Sequence, residues 1–177
     1  MVSATADPFS GYQWGMPDRL FGIPAHPLLV HIPVVLLPLC ALFAIVLAVK
    51  PRLVAHYGIP LAVLTGISFA GTVLATQSGE GLQHILKEQS AAIERHSQWG
   101  DRTRLAAFVF FILALAFVGV ARRTLRVSQV GVDVKKSVVI PILAALMSIA
   151  AIGTTVAVIY TGHSGAKSAW EDAGKAG

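Results

Sequence analysis

Four long apolar stretches alternate with shorter polar ones along the chain: Pro27 to Val49, Leu53 to Thr76, Leu105 to Ala121 and Val138 to Tyr160. They hold 23, 24, 17 and 23 residues, against the ~20 that a helix needs to cross a hydrocarbon core. The pattern predicts an all-α, integral membrane four-helix bundle. Residues 1–24 form an extracytoplasmic N-terminal segment, 25–164 the four-span domain and 165–177 an extracytoplasmic tail. Ahead of the third span, Leu82, Ile85, Ala92, His96 and Trp99 recur at spacings of 3, 7, 4 and 3. That stripe predicts a short extra amphipathic helical segment extending the third span outward. No internal repeat or low-complexity tract is visible.

Composition agrees with this pattern. Of 177 residues, 55% are hydrophobic and 13% charged, and the mean hydropathy of +0.69 lies outside the balance of a water-soluble domain. The single Cys40 sits within the first span, so one chain can build neither a disulfide framework nor a thiolate cluster, and no Cys-x-x-Cys-His run offers covalent haem attachment. The first 24 residues are polar and broken by Pro8, Pro17 and Pro24, so no cleavable signal peptide is expected. The net charge of +5 belongs to residues that flank apolar segments, not to a basic face with interleaved aromatics, which argues against nucleic acid.

An even number of spans puts both termini and the segment from about Gln77 to Arg104 on one side, side A. Side B carries Lys50, Arg52, Arg122, Arg123, Arg126, Lys135 and Lys136 in two short connections, opposed only by Asp133. Side A has as many cations, but spread over longer segments among most of the acids. Density close to the span ends therefore makes side B cytoplasmic, and side A extracytoplasmic with Tyr12, Trp14, Phe21, Trp99 and Trp170 near its interface. The expected location is a multi-pass plasma membrane with both termini extracytoplasmic, its bacterial character being what the family resemblance given below implies.

Five of the six histidines, all but His56, fall on side A: His26, His31, His84, His96 and His163. Ionisable groups in a membrane bundle are costly and usually line a cavity or functional path, and imidazole suits haem iron, copper, zinc and non-haem iron. His31 is the strongest candidate, because it lies inside an apolar run where an imidazole needs a partner. His96 follows, on its helical stripe. His26 and His31 point ~140° apart on one helix, so they do not serve one metal together. His163 stands in Thr161-Gly162-His163-Ser164-Gly165, where glycines permit close backbone approach or a helix cap. His84 lies one position off the stripe, and His56 is a headgroup-level residue. Pro33 and Pro38 are expected to bend span one and widen a pocket beside His31. The stripe Thr65, Ser68, Thr72, Thr76 on span two favours tight packing over contact with a flat macrocycle. Glu80, Glu88, Glu94 and Asp101 offer carboxylates for a non-haem metal, and Arg95, Arg102 and Arg104 offer charge to haem propionates.

The run Pro24-Ala25-His26-Pro27-Leu28-Leu29-Val30-His31-Ile32-Pro33 resembles the opening signature of a four-span bacterial membrane family catalogued as domain of unknown function 2231, and Thr161-Gly162-His163-Ser164-Gly165-Ala166 resembles its ending. The likeness spans about residues 20 to 170. Members resemble small b-type cytochromes, and some are joined to Rieske-type iron-sulfur domains, so the resemblance implies redox work at the membrane. It singles out His26, His31 and His163, with His96 as a fourth.

The expectation is therefore a membrane haem b-binding electron-transfer protein, a component of membrane oxidoreductase chemistry, exchanging electrons with a respiratory-chain or quinone-linked partner. His31 and His96 are the preferred axial pair, with His26 and His163 supporting them or holding a second haem on the same side. Two alternatives remain: a non-catalytic accessory subunit of a larger respiratory complex, and a copper, zinc or non-haem iron site built from the same four histidines with side-A carboxylates.

Overall fold

The computed structural model describes residues 19–20, 23–86, 90–129 and 138–173. Expectations placed on Tyr12, Trp14, Phe21, Glu88, Asp133, Lys135 and Lys136 lie outside the described residues, as do the side chains of His84 and Ile85. A two-residue antiparallel pairing of β1 (Arg19–Leu20) with β2 (Ile23–Pro24) leads into α1 (Ala25–Leu29). A turn at Val30 separates α1 from α2 (His31–Val49). A 3-10 turn at Pro51–Leu53 begins the return through α3 (Val54–Leu86), followed by α4 (Ala91–Gln129) and α5 (Val139–Ala173).

Four helical stretches are long and apolar enough to cross a membrane, which makes this the all-α four-helix membrane bundle that the sequence predicts. The helices run well past their apolar segments. With 33, 39 and 35 residues, α3, α4 and α5 are about 50 to 60 Å long at ~1.5 Å per residue, against a hydrocarbon core of ~30 Å. The extra amphipathic segment is continuous with α4, and its stripe is divided: Leu82 and Ile85 belong to α3, whereas Ala92, His96 and Trp99 belong to α4. The seven-residue step between Ile85 and Ala92 keeps helical phase across two different helices, which is why one stripe was legible where two helices exist. The break at Val30 also has a local cause. It places Pro33 in the first turn of α2, where a missing N–H costs no intrahelical bond.

Each long helix packs against two neighbours: α2 and α4 each lie between α3 and α5. Outward positions such as Leu42, Val49, Ile149 and Ile159 are more than 60% exposed, as lipid-facing surfaces are. Inside the side-B half, Leu47, Leu61, Phe110, Phe117 and Met147 are fully buried. Small residues bring the backbones together; Gly71 lies against Ile32, and Gly58 against Val118. Thr65, Ser68, Thr72 and Thr154 donate to carbonyls four residues back in their own helices, which satisfies hydroxyls where water is absent. The Thr65–Thr76 stripe thus divides, Thr65 and Ser68 serving packing and Thr72 and Thr76 reaching a cavity above them.

A repeat does exist, in burial and not in residue identity. The buried positions Pro33, Leu37, Cys40, Ala44 and Leu47 of α2 correspond, 70 residues on, to buried Thr103, Ala107, Phe110, Ala114 and Phe117 of α4. Buried Gly58, Leu61, Thr65, Ser68 and Gly71 of α3 correspond, 86 residues on, to buried Ala144, Met147, Ala151, Thr154 and Ala157 of α5. The α2–α3 and α4–α5 hairpins are two copies of one packing scheme around a pseudo-twofold axis along the bundle. Few of these pairs share a residue type, so the chain alone shows no repeat.

The contact at Gly71 has a measurable consequence. A Cβ there would overlap Ile32 Cγ2 and come within 3.0 Å of Ile32 Cβ, so Gly71→Ala is expected to destabilise the bundle by ~1–3 kcal/mol. Ile32→Ala in the same chain should recover part of that loss. Unfolding followed by helical circular dichroism in detergent checks both.

Candidate functional site

Above the packed half, at the side-A end, the helices part around a cavity of about 540 Å³ walled by α1, α2, α3, α4 and α5. That size lies within the ~300–1,000 Å³ of small-molecule and cofactor sites. Beneath it the core thins to Leu37, Ala107 and Val158 with Phe69 packed alongside.

Two imidazoles confront each other in this cavity, His26 from α1 and His96 from α4. Their ring centres are 6.0 Å apart and their planes 77° to one another. Each ring is seated on the other helix of its own hairpin. His26 Nδ1 lies 2.9 Å from the Ala75 carbonyl oxygen and 3.2 Å from Ser78 Oγ, and Ser78 Oγ donates to the same carbonyl at 2.9 Å. His96 Nδ1 lies 3.1 Å from the Thr161 carbonyl oxygen and 3.3 Å from Ser164 Oγ, while Ser164 Oγ donates to Thr161 at 2.9 Å. Glycine follows each serine because nothing larger fits: a Cβ at Gly79 would stand 2.9 Å from His26 Cε1, and one at Gly165 would stand 2.8 Å from His96 Cε1.

These contacts fix the chemistry of the rings. A carbonyl oxygen only accepts, so Nδ1 of each imidazole carries the proton, and each serine oxygen accepts a share of it. In the neutral ring, Nε2 is then the lone-pair nitrogen. Among the described residues neither Nε2 has a hydrogen-bond partner. The cavity therefore presents two oriented, unsatisfied nitrogen donors. Imidazole nitrogens left free in this way are ligands of the kind that haem iron, copper and zinc accept. Donation of Nδ1–H to a carbonyl is also the usual support of a metal-bound histidine.

The preferred pair read from the sequence, His31 with His96, is not the pair that meets. His31 is exposed and donates from Nδ1 to the Pro27 carbonyl oxygen of α1, four residues back, at 2.7 Å, so the partner it needs is local. The cavity lies beside Val30 and Pro33 on the opposite face of that segment, and the ~140° divergence of His26 and His31 accounts for the exchange. His163 is exposed on α5, whose helix continues to Ala173 with no cap at the Gly-His-Ser-Gly run. His56 is exposed beside Tyr57 at the side-B end. Arg104 pairs with Asp101 at 2.9 Å and with Glu80 at 3.7 Å. Arg102 lies over the Trp99 ring, and Arg95 bonds the Ala91 carbonyl oxygen. Among the described residues no group of three or more His, Cys, Asp or Glu side chains is gathered to hold a metal ion.

Ser164 and Gly165 belong to the run singled out around His163, with its glycines read as permitting close approach, whereas Ser78 and Gly79 were missed in the sequence. Their one signal was the Ser-Gly pair repeated 86 residues apart, at the offset that relates α3 to α5. A family model described as a predicted membrane protein, DUF2231, matches residues 22–176. The chain belongs to this family. Neither curated proteins nor solved structures gave a match. The DUF2231 match begins before His26 and runs beyond Gly165, so both imidazole seats fall inside it.

The seats make a selective prediction. Gly79→Ala should displace the His26 ring alone, and Gly165→Ala the His96 ring alone. In nitrogen-15 spectra of the imidazoles, the wild type is expected to show the Nδ1–H tautomer at both histidines, with each variant disturbing only its own ring.

Proposed function

We propose that this membrane protein holds b-type haem between His26 and His96 and takes part in single-electron transfer. The observation that carries this reading is the pair of opposed imidazoles, each anchored through Nδ1 and each presenting an unpartnered Nε2 to one cavity. Haem when bound supplies an Fe(III)/Fe(II) couple at the membrane. The chain's own residues orient the two donors, set their tautomers and exclude bulk solvent from one side of them. The number of donors favours haem over a bare ion. Structural zinc needs about four protein ligands, whereas haem would bring its own ring nitrogens and could be held by the two imidazoles of His26 and His96.

One haem fits this arrangement better than two, because His31 and His163 lie outside the cavity. Cation density at the side-B end supports a site at the extracytoplasmic face, with electrons exchanged with a respiratory-chain or quinone-linked partner. The short Glu80–Arg104–Asp101 cluster supports charge balance at the cavity rim more directly than a propionate contact does.

Purified protein supplied with haemin is expected to give the reduced-minus-oxidised spectrum and pyridine haemochrome of a bis-imidazole b haem. His26→Ala and His96→Ala should each abolish it, while His31→Ala and His163→Ala keep it, with helical content unchanged throughout. A wild-type protein without haem absorbance sinks this reading.

A further inference from the structure

The pseudo-twofold axis that relates the imidazoles also relates the two side seams of the cavity, and there the symmetry fails. On the α3–α4 seam, Arg104 reaches Glu80 across the gap at 3.7 Å and pairs at 2.9 Å with Asp101, one turn back on its own helix. At the offsets that superpose the hairpins, the corresponding residues of the α5–α2 seam are Ala166, His31 and Val34. None of these three joins α2 to α5: His31 is bonded to the Pro27 carbonyl of α1, four residues back, and alanine and valine have no charge to pair. Three other cavity positions follow the same division, while Ala75 and Leu82 of α3 stand where the polar Thr161 and Ser168 stand on α5. Thr76, Ser97 and Thr103 on the α3–α4 side stand where Gly162, Pro27 and Pro33 stand on the α2–α5 side.

A residue that both lines a cavity and is exposed on the outer surface marks a mouth. On the α3–α4 side, the residues that do so are Glu80 and Asp101, the two acids of the latch. On the α2–α5 side, Val34 lines the cavity and is 46% exposed, and Gly162 and Ala166 are likewise exposed. Val34 stands about one turn into the apolar run of α2. Among the residues that line this mouth none is charged, and Val34 belongs to an apolar span, whereas the equivalent mouth is polar and bridged by charge.

We propose that haem reaches the His26–His96 cavity sideways from the bilayer, between α2 and α5, while the Glu80–Arg104–Asp101 latch closes the equivalent seam. The proposal rests on the haem reading above and adds a route to it. A flat amphipathic ring partitions into lipid, and an entrance without charged residues lets it slide in without desolvating an ion.

The test uses the full chain in phosphatidylcholine vesicles. Haemin dissolved in vesicles of the same lipid is mixed in, and growth of the Soret band is followed. Val34→Trp, which plugs the seam from an exposed position, is expected to slow uptake about ten-fold or more with the final absorbance preserved. Arg104→Ala should load no more slowly than wild type. A Val34→Trp protein that loads at the wild-type rate overturns the proposal. If wild-type protein takes up no haemin, the haem reading fails instead, and the seam is judged by a readout free of haem. In a Cys40→Ala background, Val30→Cys on the cavity wall should react with pyrene maleimide dissolved in the lipid, and Val34→Trp should suppress that reaction. Equally fast labelling by a sulfonated maleimide confined to water overturns the lateral route.

Discussion

The site depends on one interaction made twice, the gift of an imidazole Nδ1 proton to a helix carbonyl on the partner helix of the same hairpin. An α-helical carbonyl already accepts a backbone N–H, so its second lone pair is the only main-chain acceptor that a membrane helix offers sideways. Taking it requires the imidazole to lie against the helix surface. The helix must therefore have no side chain at that point, hence Gly79 and Gly165, and a hydroxyl one residue earlier shares the donated proton. From this single bond follow the tautomer, the free Nε2 and the orientation of both rings toward a common space. The low polarity around the bundle strengthens each such bond and makes an unpaired donor expensive, so the arrangement is held more firmly than the same contacts would be in water.

Duplication explains why the two donors match. The hairpins α2–α3 and α4–α5 repeat their buried positions, so a ring seated on the second helix of one hairpin has its counterpart on the other, and the axis between hairpins places them face to face. Tight packing belongs to the side-B half, where Phe110, Phe117, Leu47 and Met147 fill the interior. Toward side A the interior residues become small or hydroxylic, and the helices have space between them. Packing and site are therefore divided along the bundle axis: one end fixes the helices, and the other uses the fixed separation.

The spans were legible in the sequence because lipid demands an unbroken apolar run whatever the packing inside. The gathering of histidines at one end was legible for the same reason, since span ends fix depth. Which imidazoles turn inward was not. The helices are apolar nearly all round, so no polar face marks the outside, and direction is set by small residues at contacts such as Gly71 and Ala44. His31 drew attention because it interrupts an apolar run, yet a carbonyl one turn back satisfies it. His26 looked peripheral because it opens the helix, although its five-residue offset from His31 turns it toward the interior when His31 faces out. Ser78 and Gly79 carried no signal alone, and only the spatial repeat with Ser164 and Gly165 gives them meaning.

The two imidazoles differ in what carries them. His96 is embedded in a continuous helix of 39 residues, braced near its outer end by the stacking of Trp99 on Tyr160 at 4.8 Å. His26 stands on a helix of five residues, set off from the span by a single turn. Backbone bonds from Val30 N–H to the His26 carbonyl and from Val34 N–H to the Val30 carbonyl carry the chain helically through that turn, so the spacing of the two rings is a gauge of how the first and third spans stand relative to each other.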